Sequence, residues 1–368
     1  MTSTGWGGLE MNTLKLAKIL TSQGYEITLF TQEEAVLHKN HSDSFKGVEL
    51  ITKKRKYFDF KTAKIIAEKL KANKIPLVFV VDNKDIDVLA WTKRLFYKEL
   101  KIVYQQHMQI GINKKDYIHT FRLRSIDTWI SPLQFLKIEI GLRTHFPLNR
   151  VKVIPIGLDT AKFLNAKYSK EEARRKMGIE TDLPLLGIIG RISEKKGQRF
   201  VAEAILALKN KGIHLELVIF GSATVNDEAD KKYAEELKDF VDQNDLNQLI
   251  HFVDYKEDVH QFYNSIDVFV LASHSETYGM VTIEAMLSGV PIIATNSGGT
   301  PEILNNGKWG RLYKYENQEQ FCAVLQSALN DMENTRIMTR EAKENATILF
   351  ESTKEVEAII SVFQQYLT

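Results

Sequence analysis

The sequence predicts an α/β protein with two consecutive domains, each built on a parallel sheet covered by helices. The chain has 368 residues, more than a single hydrophobic core usually organises. Short runs rich in β-branched residues alternate with amphipathic helical stretches, the pattern of parallel α/β layers. The alternation occurs in both halves of the chain, so we expect two Rossmann-like domains at residues 1–158 and 159–345.

Five strands are predicted in the first domain, at 26–30, 77–81, 101–105, 128–131 and 151–156. A helix at 11–24 ends on Gly24, a residue type that favours a helix C-terminus. The glycine-rich segment at 5–8 has the composition of the turn that follows a first strand, yet only four residues precede it. Because that strand is normally central in its sheet, either the start is truncated or the first strand of this domain is missing.

A second series of strands is predicted at 185–190, 215–220, 249–254, 267–273 and 291–295. Helices separate these strands, and the domain boundary is expected near residues 155–163. The last predicted helix, at about 350–368, fits either domain and is free to pack back on the first.

The composition is that of a soluble globular protein. No apolar run reaches the roughly 18 residues that a membrane-spanning helix needs, and the first residues lack the basic and apolar regions of a signal peptide. The single cysteine, Cys322, excludes an internal disulfide framework and a cysteine-cluster metal site. These features predict a cytoplasmic protein.

The charge is unevenly distributed along the chain. Residues 1–160 contain 26 Lys and Arg against 16 Asp and Glu, a net charge of +10, whereas residues 161–368 contain 23 against 31, a net charge of −8. The densest basic stretch, at 53–74, also carries aromatic residues. It is either a solvated helix face or a surface for anionic lipid headgroups. Nucleic acid would suit the charge, but no recognition motif accompanies it.

The loop after the strand at 185–190 has two cations close to the start of a helix, Arg191 and Lys196. Loops at the carboxyl ends of parallel strands face the ligand crevice. Cations beside the free N–H groups of a helix N-terminus suit a diphosphate. The alternative is a surface turn with two solvated side chains.

The segment after the strand at 267–273 combines a predicted helix N-terminus with two carboxylates. Gly279 lets a ligand approach closely, and the first-turn amides of Gly279, Met280 and Val281 suit phosphate oxygens. Glu284 lies about 7.5 Å further along the helix axis, where it could bind ribose hydroxyls, and Glu276 could bind a second sugar. The segment thus fits a sugar nucleotide, or else it is an ordinary helix start with a solvated Glu284.

These segments together resemble the retaining glycosyltransferases of family 4, which have the GT-B fold of two facing Rossmann-like domains with an interdomain cleft. The chain contains their motifs in family order and with family spacing over roughly residues 5–315. The motifs are GGLE at 7–10, YQQHMQIG at 104–111, VIPIGLD at 153–159, GRISEKKG at 190–197, SETYGMVTIEAMLSGVPIIAT at 275–295 and SGGTPEIL at 297–304. Each motif alone is a weak or moderate signal, whereas the ordered set is a strong one.

The resemblance implies that the donor binds in the interdomain cleft. Arg191 and Lys196 would neutralise the departing nucleoside diphosphate. Glu284 would bind the ribose and Glu276 the transferred sugar, while the segment at 251–257 would meet the base edge, mainly through its backbone.

In the first domain the resemblance implies roles for three residues. Gly7 and Gly8 would let their loop close over the phosphates, and His107 would contact the donor sugar. His107 is not expected to act as a general base, because proposals for retaining enzymes of this class give that task to the donor phosphate. The chain departs from the family at Ile156, where asparagine is usual.

No metal or cofactor is expected. The Asp-Ile-Asp triplet at 85–87 matches the D-x-D of metal-dependent sugar transferases. A helical pattern follows it, however, so Asp85 or Asp87 is predicted to cap that helix. The histidines at 38 and 41 have no third ligand at a suitable spacing.

We therefore expect a metal-independent, retaining hexosyltransferase that moves a sugar from a UDP- or GDP-sugar to an acceptor hydroxyl. The basic first domain favours a sugar or lipid-linked acceptor at the inner face of the plasma membrane, in bacterial lipopolysaccharide or exopolysaccharide biosynthesis. Two alternatives stay open: a sugar-nucleotide epimerase of the same architecture, and an inactive protein that only binds a nucleotide sugar.

Overall fold

The computed structural model describes residues 7–39, 45–51, 58–165, 167–224 and 227–367. The chain divides into two compact units. Unit 1 comprises Met1–Gly157 and Ser352–Thr368, and unit 2 comprises Leu158–Glu351.

Unit 1 contains two parallel sheets among its described residues. Its strands are β1 (Thr28–Thr31), β2 (Gly47–Leu50), β3 (Leu77–Val80), β4 (Lys101–Gln105), β5 (Thr128–Ser131) and β6 (Val151–Val153). β1 pairs with β2, and the other four strands form a sheet in the order β3-β4-β5-β6. The five strands predicted in this region are present, and β2 is an additional one.

The helices of the first segment are α1 (Gly8–Ser22), α2 (Val36–Lys39), α3 (Phe60–Ala72), α4 (Ile86–Trp91), α5 (Tyr117–Leu123) and α6 (Gln134–Arg143). α3 begins at the Asp59 cap, whose carboxylate accepts the Thr62 N–H at 3.0 Å. Its apolar stripe is buried and its lysines lie on the opposite face. The rest of the basic stretch, residues 53–57, lies outside the described residues.

Unit 2 has one six-stranded sheet, and every ladder in it is parallel. Its strands are β7 (Leu185–Ile189), β8 (Glu216–Phe220), β9 (Ile250–Val253), β10 (Val268–Leu271), β11 (Ile292–Thr295) and β12 (Arg311–Tyr313), in the order β12-β11-β10-β7-β8-β9. The chain builds outward from β7 to β9 and then returns to β10 on the other side of β7. The loops after β7 and β10 therefore diverge at a switch point, where such sheets bind ligands.

The helices of unit 2 are α7 (Ala161–Leu164), α8 (Lys170–Met177), α9 (Gln198–Lys209), α10 (Glu228–Gln243), α11 (His260–Ser265), α12 (Met280–Ser288), α13 (Thr300–Ile303), α14 (Gln318–Asn330) and α15 (Met332–Leu349). α12 ends at Gly289, whose left-handed conformation (φ +71°) closes the last turn. The predicted α/β fold with parallel sheets in separate domains is confirmed.

The last helix, α16 (Ser352–Leu367), belongs to unit 1. Its buried apolar face packs with Leu16 and Leu20 of α1 and with Val103 and Ile130 of the sheet. No helix in the described part of the chain is both long and apolar enough to cross a membrane.

Candidate active site

The turn after β7 is held against the ends of β8 and β10 by glycines that no other residue could replace without a shift. A Cβ on Gly221 would lie 2.0 Å from the Gly190 oxygen, and one on Gly197 would lie 2.4 Å from the Ala272 oxygen. Gly197 also has a left-handed conformation (φ +75°), which side chains disfavour. The His274 N–H donates to the Lys195 oxygen at 3.0 Å, so the loops after β7 and β10 are fixed to each other.

A third loop, after β11, supports the segment that carries Glu276. The Gly299 N–H donates to the Glu276 oxygen at 2.8 Å, and the Ser297 hydroxyl donates to the His274 oxygen at 2.8 Å. A Cβ on Gly298 would lie 2.3 Å from the Glu276 oxygen. The backbone of Glu276 is therefore positioned by the SGG segment, a role that the sequence motif did not specify.

Lys196 and Glu276 are brought into direct contact. Lys196 Nζ lies 2.9 Å from Glu276 Oε2, and the two side chains keep 29% and 19% of their surface exposed. Lys196 comes from the short 3₁₀ turn Glu194–Lys196, which Gly197 ends. A cation and a carboxylate, both accessible, thus lie side by side at the switch point of the sheet.

Arg191 does not join this pair. Its side chain is half-exposed and lies 3.5 Å from Asp230 and from Thr224, which are its side-chain contacts within the described part of the chain. Its backbone oxygen accepts from Gln198 at 2.9 Å. The backbone of Arg191 is fixed beside the Lys196 turn, whereas its guanidinium makes only long contacts.

The N-terminus of α12 has no side-chain cap. Gly279 occupies the N-cap position with φ +81°, so the first-turn amides of Met280 and Val281 are left without intrahelical partners. A Cβ on Gly279 would lie 3.2 Å from Glu276 Cγ, which places the helix start directly beside that carboxylate. The helix is anchored by its buried face, which includes Ile283 and Met286.

Glu284 is enclosed rather than solvated. The fully buried Tyr263 donates its hydroxyl to Glu284 Oε2 at 2.8 Å, and burial raises the pKa of the Glu284 carboxyl. The pKa of Tyr255 is raised by its own burial and by the charge of Glu284. Tyr255 lies in the segment 251–257 that the resemblance assigns to the base edge, whereas sequence reasoning missed Tyr263, which lies in no recognisable motif.

Two buried hydroxyls, Ser193 in the turn after β7 and Thr282 in the first turn of α12, are polar groups that sequence reasoning also missed. Ser193 Oγ and Thr282 Oγ1 have no hydrogen-bond partner in the described part of the chain. Serine and threonine are too common near turns and helix starts to be singled out in advance.

In unit 1, His107 follows β4 and is held neutral. Burial, assisted by the charge of Lys15, lowers the pKa of His107 to about 4. Its Nε2 is buried and has no hydrogen-bond partner within the described residues. An imidazole in this state can donate or accept one hydrogen bond but carries no charge near pH 7.

A buried carboxylate that the sequence did not indicate lies in the same unit. Glu355 of α16 accepts from Lys15 at 3.0 Å, from the Gln105 side chain at 2.8 Å and from the Gly157 N–H at 2.9 Å. It therefore connects α1, β4 and the loop after β6. Lys15, held by Glu355, is the cation whose charge adds to the effect of burial on the pKa of His107.

Gly7 and Gly8 mark the start of α1. The Gly7 N–H donates to Glu10 Oε2 at 3.0 Å, and a Cβ at either glycine would not come closer than 3.6 Å to another atom. The protein itself does not require glycine at these positions. Their role toward a donor stays a prediction.

Among the described residues, no group of three His, Cys, Asp or Glu is arranged to hold a metal. The Asp-Ile-Asp triplet begins α4, as the capping prediction expected, but without the side-chain bond of a cap. Asp85 occupies the N-cap position of α4, but its side chain makes no capping bond, and Asp87 instead pairs with Arg122 at 2.9 Å. Asp82 caps the preceding turn.

The fold is that of the GT-B glycosyltransferases. A glycosyltransferase structure from Rickettsia africae aligns with 100% of the chain and 97% of its own at a TM-score of 0.86 and 18% identity. The structure of Anabaena Alr3699/HepE in complex with UDP aligns with 99% of the chain and 98% of its own at a TM-score of 0.85 and 18% identity.

The chain belongs to the glycosyl transferases of group 1 and family 4. Residues 169–345 match the family Glycosyl transferases group 1, and residues 6–162 match Glycosyltransferase Family 4. The chain is 25% identical over 360 residues to YtcC of Bacillus subtilis, whose name places it among the glycosyltransferases, covering 94% of this chain and 85% of YtcC. The lipopolysaccharide core biosynthesis mannosyltransferase LpsB of Rhizobium meliloti is 24% identical over 217 residues, 58% of this chain and 61% of LpsB.

Proposed function

We propose that this glycosyltransferase transfers a hexose, with retention of anomeric configuration, from a nucleoside-diphosphate sugar to an acceptor hydroxyl. The observation that carries the proposal is the contact of Lys196 with Glu276 beside the uncapped start of α12. A diphosphate needs cations and oriented N–H donors, and a sugar needs a carboxylate that accepts its hydroxyl protons. This part of unit 2 has a cation, uncapped N–H donors and a carboxylate next to each other at the switch point of the sheet.

Lys196 stabilises the departing diphosphate together with the α12 amides. Arg191 is a second cation, and its long contacts to Asp230 and Thr224 leave it able to turn toward a phosphate. Glu276 accepts hydroxyl protons of the transferred sugar. Such groups act most strongly on charge that develops in the transition state, which here is the negative charge of the leaving group.

Glu284 binds the ribose of the donor. One of its carboxylate oxygens accepts from Tyr263, so the other remains for a ribose hydroxyl. Because binding needs the ionised form and burial disfavours it, donor affinity is expected to fall as the pH is lowered through the raised pKa of Glu284.

A Glu284→Gln exchange tests this assignment. The uncharged side chain no longer suffers the cost of burying a charge, so the melting temperature is expected to stay the same or rise. UDP affinity is expected to fall about tenfold, the loss of one charge-assisted hydrogen bond. The exposed Glu319 of α14 provides the control, and equal UDP affinity of Glu284→Gln and Glu319→Gln by calorimetry would remove Glu284 from the site.

The donor base is proposed to be uracil, with guanine as the second candidate. Structures of HepE contain UDP and UDP-glucose, which supports a UDP-sugar without identifying the hexose. A thermal-shift panel of UDP-, GDP- and ADP-sugars identifies the base, since a ligand that binds the folded state raises its melting temperature.

The retaining reaction is proposed to proceed on one face of the sugar, with the donor phosphate assisting deprotonation of the acceptor. The neutral His107 then contributes a hydrogen bond to the donor sugar, and Gly7 and Gly8 admit the phosphates. Nuclear magnetic resonance of the product gives the test: an anomeric configuration inverted relative to the donor contradicts retention.

Catalysis is proposed to need no metal or other cofactor. Lys196, Arg191 and the helix amides supply the positive potential that a bound cation supplies in metal-dependent transferases. Transfer rates are expected to be equal in the presence of excess EDTA and of magnesium. A strict requirement for the metal contradicts this part of the proposal.

The acceptor is proposed to be a sugar or lipid-linked sugar at the cytoplasmic face of the plasma membrane, in lipopolysaccharide or exopolysaccharide synthesis. Unit 1 presents a cavity of about 370 Å³ whose lining is mainly apolar, with Phe58, Trp91, Tyr117, Ile118 and Phe121 beside the ion pair of Asp87 and Arg122. Tyr117 is 95% exposed, and the Arg94 guanidinium lies 4.5 Å from the Phe121 ring centre. Aromatic rings beside cations suit the interface of an anionic membrane.

Vesicle sedimentation tests the membrane surface. Removal of the positive charges at 53–56, or a Tyr117→Ser exchange, is expected to reduce sedimentation with anionic vesicles while the melting temperature is kept. Unchanged sedimentation of both variants contradicts the membrane proposal, and the transferase proposal is independent of it.

The two rival functions give different products. Incubation with a UDP- or GDP-sugar and no acceptor yields an epimerised donor if the protein is an epimerase, and slow donor hydrolysis if it is a transferase. Binding without turnover, with any acceptor, identifies a protein that only binds the nucleotide sugar. The family match favours the transferase.

A further inference from the structure

A small cavity lies where β3 and β4 end in unit 1. Its volume is about 20 Å³, and its lining includes Asn83, which follows β3, and Gln106 and Met108, which follow β4. Two cationic residues, Lys114 and Arg122, line it as well. Because α/β sheets bind ligands at the carboxyl ends of their parallel strands, this cavity has the position of a binding site. We call it the β4 pocket.

The loop that carries Lys114 is held in place by unit 1 itself. Glu139 of α6 accepts the Ile110 N–H at 3.0 Å and the Gly111 N–H at 3.1 Å. The Lys114 N–H donates to the Arg143 oxygen at 2.8 Å. These bonds attach the loop after β4 to α6, so the backbone of Lys114 is fixed beside the β4 pocket.

Two positive charges meet at this pocket. Burial and the charge of Arg122 lower the pKa of Lys114, against the opposite effect of Glu139 and Asp87. Asp87, however, pairs with Arg122 at 2.9 Å. Glu139 pairs with Arg143 at 3.2 Å. Among the described residues, each carboxylate whose charge acts on Lys114 thus already has an arginine partner, and Lys114 is left for an incoming anion.

The sequence around Lys114 is rich in cations. Residues 108–124 contain four Lys and Arg against one acid, Asp116. Asp116 itself lies 2.6 Å from His119. An anion with two negative charges gains more from such a surface than an anion with one, which favours a phosphate over a carboxylate.

We propose that the β4 pocket binds one oxygen of a phosphate group carried by the acceptor. Lys114 supplies the ammonium that pairs with it, and Arg122 adds to the positive potential. A cavity of about 20 Å³ has room for one group of the size of a water molecule, so the rest of the acceptor stays outside. The inference rests on the proposed function, because it names the acceptor of that reaction.

A single water molecule is the simplest alternative occupant, since the volume admits one. Water carries no charge. It would leave the half-buried Lys114 beside Arg122 without a counterion, the arrangement that disfavours the charged amine. A phosphate oxygen offsets both the burial and the repulsion.

Two kinds of acceptor could bring the phosphate. Arg122 also borders the aromatic cavity of about 370 Å³. A lipid-linked sugar has its phosphate between the lipid and the sugar, so its lipid part would meet Tyr117 and Trp91 while its phosphate lies at Lys114. A soluble sugar phosphate would use the β4 pocket alone.

Competitive acetylation of the full chain tests the pocket, because only the neutral amine of a lysine reacts. Fragment mass spectrometry compares Lys114 with its exposed neighbour Lys115, at saturating UDP so that the donor site is occupied. Glucose 1-phosphate is expected to slow acetylation of Lys114 about tenfold relative to glucose, because a bound anion raises the pKa of the amine by about one unit. Lys115 is expected to change less than twofold on the same scale. Equal acetylation of Lys114 with the two sugars, or equal protection of both lysines, overturns the proposal.

Further probes identify the source of the anion. Geranyl phosphate that protects Lys114 at lower concentration than glucose 1-phosphate supports a lipid-linked acceptor, and the reverse order supports a soluble sugar phosphate. Protection by glucuronate equal to that by glucose 1-phosphate assigns the pocket to a carboxylate and overturns the proposal. Protection by phosphatidylglycerol vesicles, without protection by either soluble phosphate, assigns Lys114 to the membrane surface and also overturns it.

The proposed function is tested separately, by donor hydrolysis in the absence of UDP. Normal hydrolysis of a UDP-sugar with an unprotected Lys114 contradicts the β4 pocket alone. Protection of Lys114 without any hydrolysis or transfer supports the pocket and contradicts the proposed function.

Discussion

At the scale of single residues, Lys195 and Lys196 offer a matched pair. Both lie on the turn Glu194–Lys196, but Lys195 is exposed whereas Lys196 contacts Glu276 at 2.9 Å. Lys196→Ala is expected to lower kcat about a hundredfold, because under the proposed function it removes the charge that stabilises the leaving group. Lys195→Ala is expected to change kcat less than twofold, because the exposed Lys195 side chain is not assigned to the leaving group. Comparable turnover of the two variants in a transfer assay would show that Lys196 does not stabilise the diphosphate.

His107 gives a prediction about pH. The pKa of His107 is lowered from 6.5 to about 4 in the folded protein. Between these pH values the imidazole is protonated in the unfolded chain and neutral in the folded chain. Stability is therefore expected to fall as the pH is lowered from 6.5 toward 4, and His107→Gln is expected to remove that part of the slope. Urea unfolding of both proteins from pH 4 to 7 measures the difference, and parallel curves contradict a neutral buried His107. The carboxylates contribute equally to the pH dependence of both proteins, so their contribution cancels in the difference.

The residues of the candidate site were predictable to different degrees. Lys196 and Glu276 belong to motifs whose spacing reflects chemistry, and the structure brings them together. Tyr263 could not be predicted, because its contact with Glu284 depends on how α11 packs beside α12. The burial that raises the pKa of Glu284 comes from the same packing, which is why the sequence left a solvated glutamate open as an alternative.

At the scale of elements, Gly197 and Gly178 separate backbone strain from steric clash. Both have a left-handed φ, +75° and +73°. A Cβ on Gly197 meets the Ala272 oxygen at 2.4 Å, whereas a Cβ on Gly178 meets no atom within 4 Å. Gly178→Ala is expected to cost about 1–2 kcal/mol of unfolding free energy. Gly197→Ala is expected to cost about 1–3 kcal/mol more, because the loops after β7 and β10 must separate.

Activity distinguishes the two glycine variants as well. Gly197→Ala moves the turn that carries Lys196, so turnover is expected to fall together with stability. Gly178→Ala leaves the site intact, and turnover measured well below its melting temperature is expected to match that of the original chain. Equal free energies of unfolding for the two variants would show that the close approach of Gly197 to Ala272 contributes nothing.

The elements themselves were largely predictable, and the exceptions have physical reasons. β7, and β8 after its first residue Glu216, are continuous apolar runs, and both strands were found from the sequence because they are buried on both faces. β2 was missed, because its sequence Gly-Val-Glu-Leu is short, polar in part and only half-buried. Its pairing with β1 is a tertiary contact that local pattern does not encode.

At the scale of the whole molecule, the chain ends in the unit where it begins. α16 follows unit 2 in sequence but places Ile359 and Val356 in the core of unit 1 with no exposed surface. The sequence left its placement open, because an amphipathic helix shows which face is buried and not which partner covers it. The partner is α1 and the sheet beside it, where Glu355 also holds Lys15 and Gln105.

The stability of the two units can therefore be altered separately through residues that are close in sequence. Ile359→Ala is expected to cost about 2–5 kcal/mol, because it opens a cavity between α16 and α1. The matched control is Ile348→Ala in α15, the last helix of unit 2. It removes a side chain that is 57% exposed and is expected to change the free energy of unfolding by less than about 0.5 kcal/mol.

Amide exchange locates the effect in one unit. Ile359→Ala is expected to accelerate exchange in β4 and β5 and to leave β7 and β8 unchanged, since local opening follows the unit that lost its packing. Acceleration in β7 and β8 equal to that in β4 and β5 would mean that the two units unfold as one, and α16 would then stabilise the whole chain rather than unit 1.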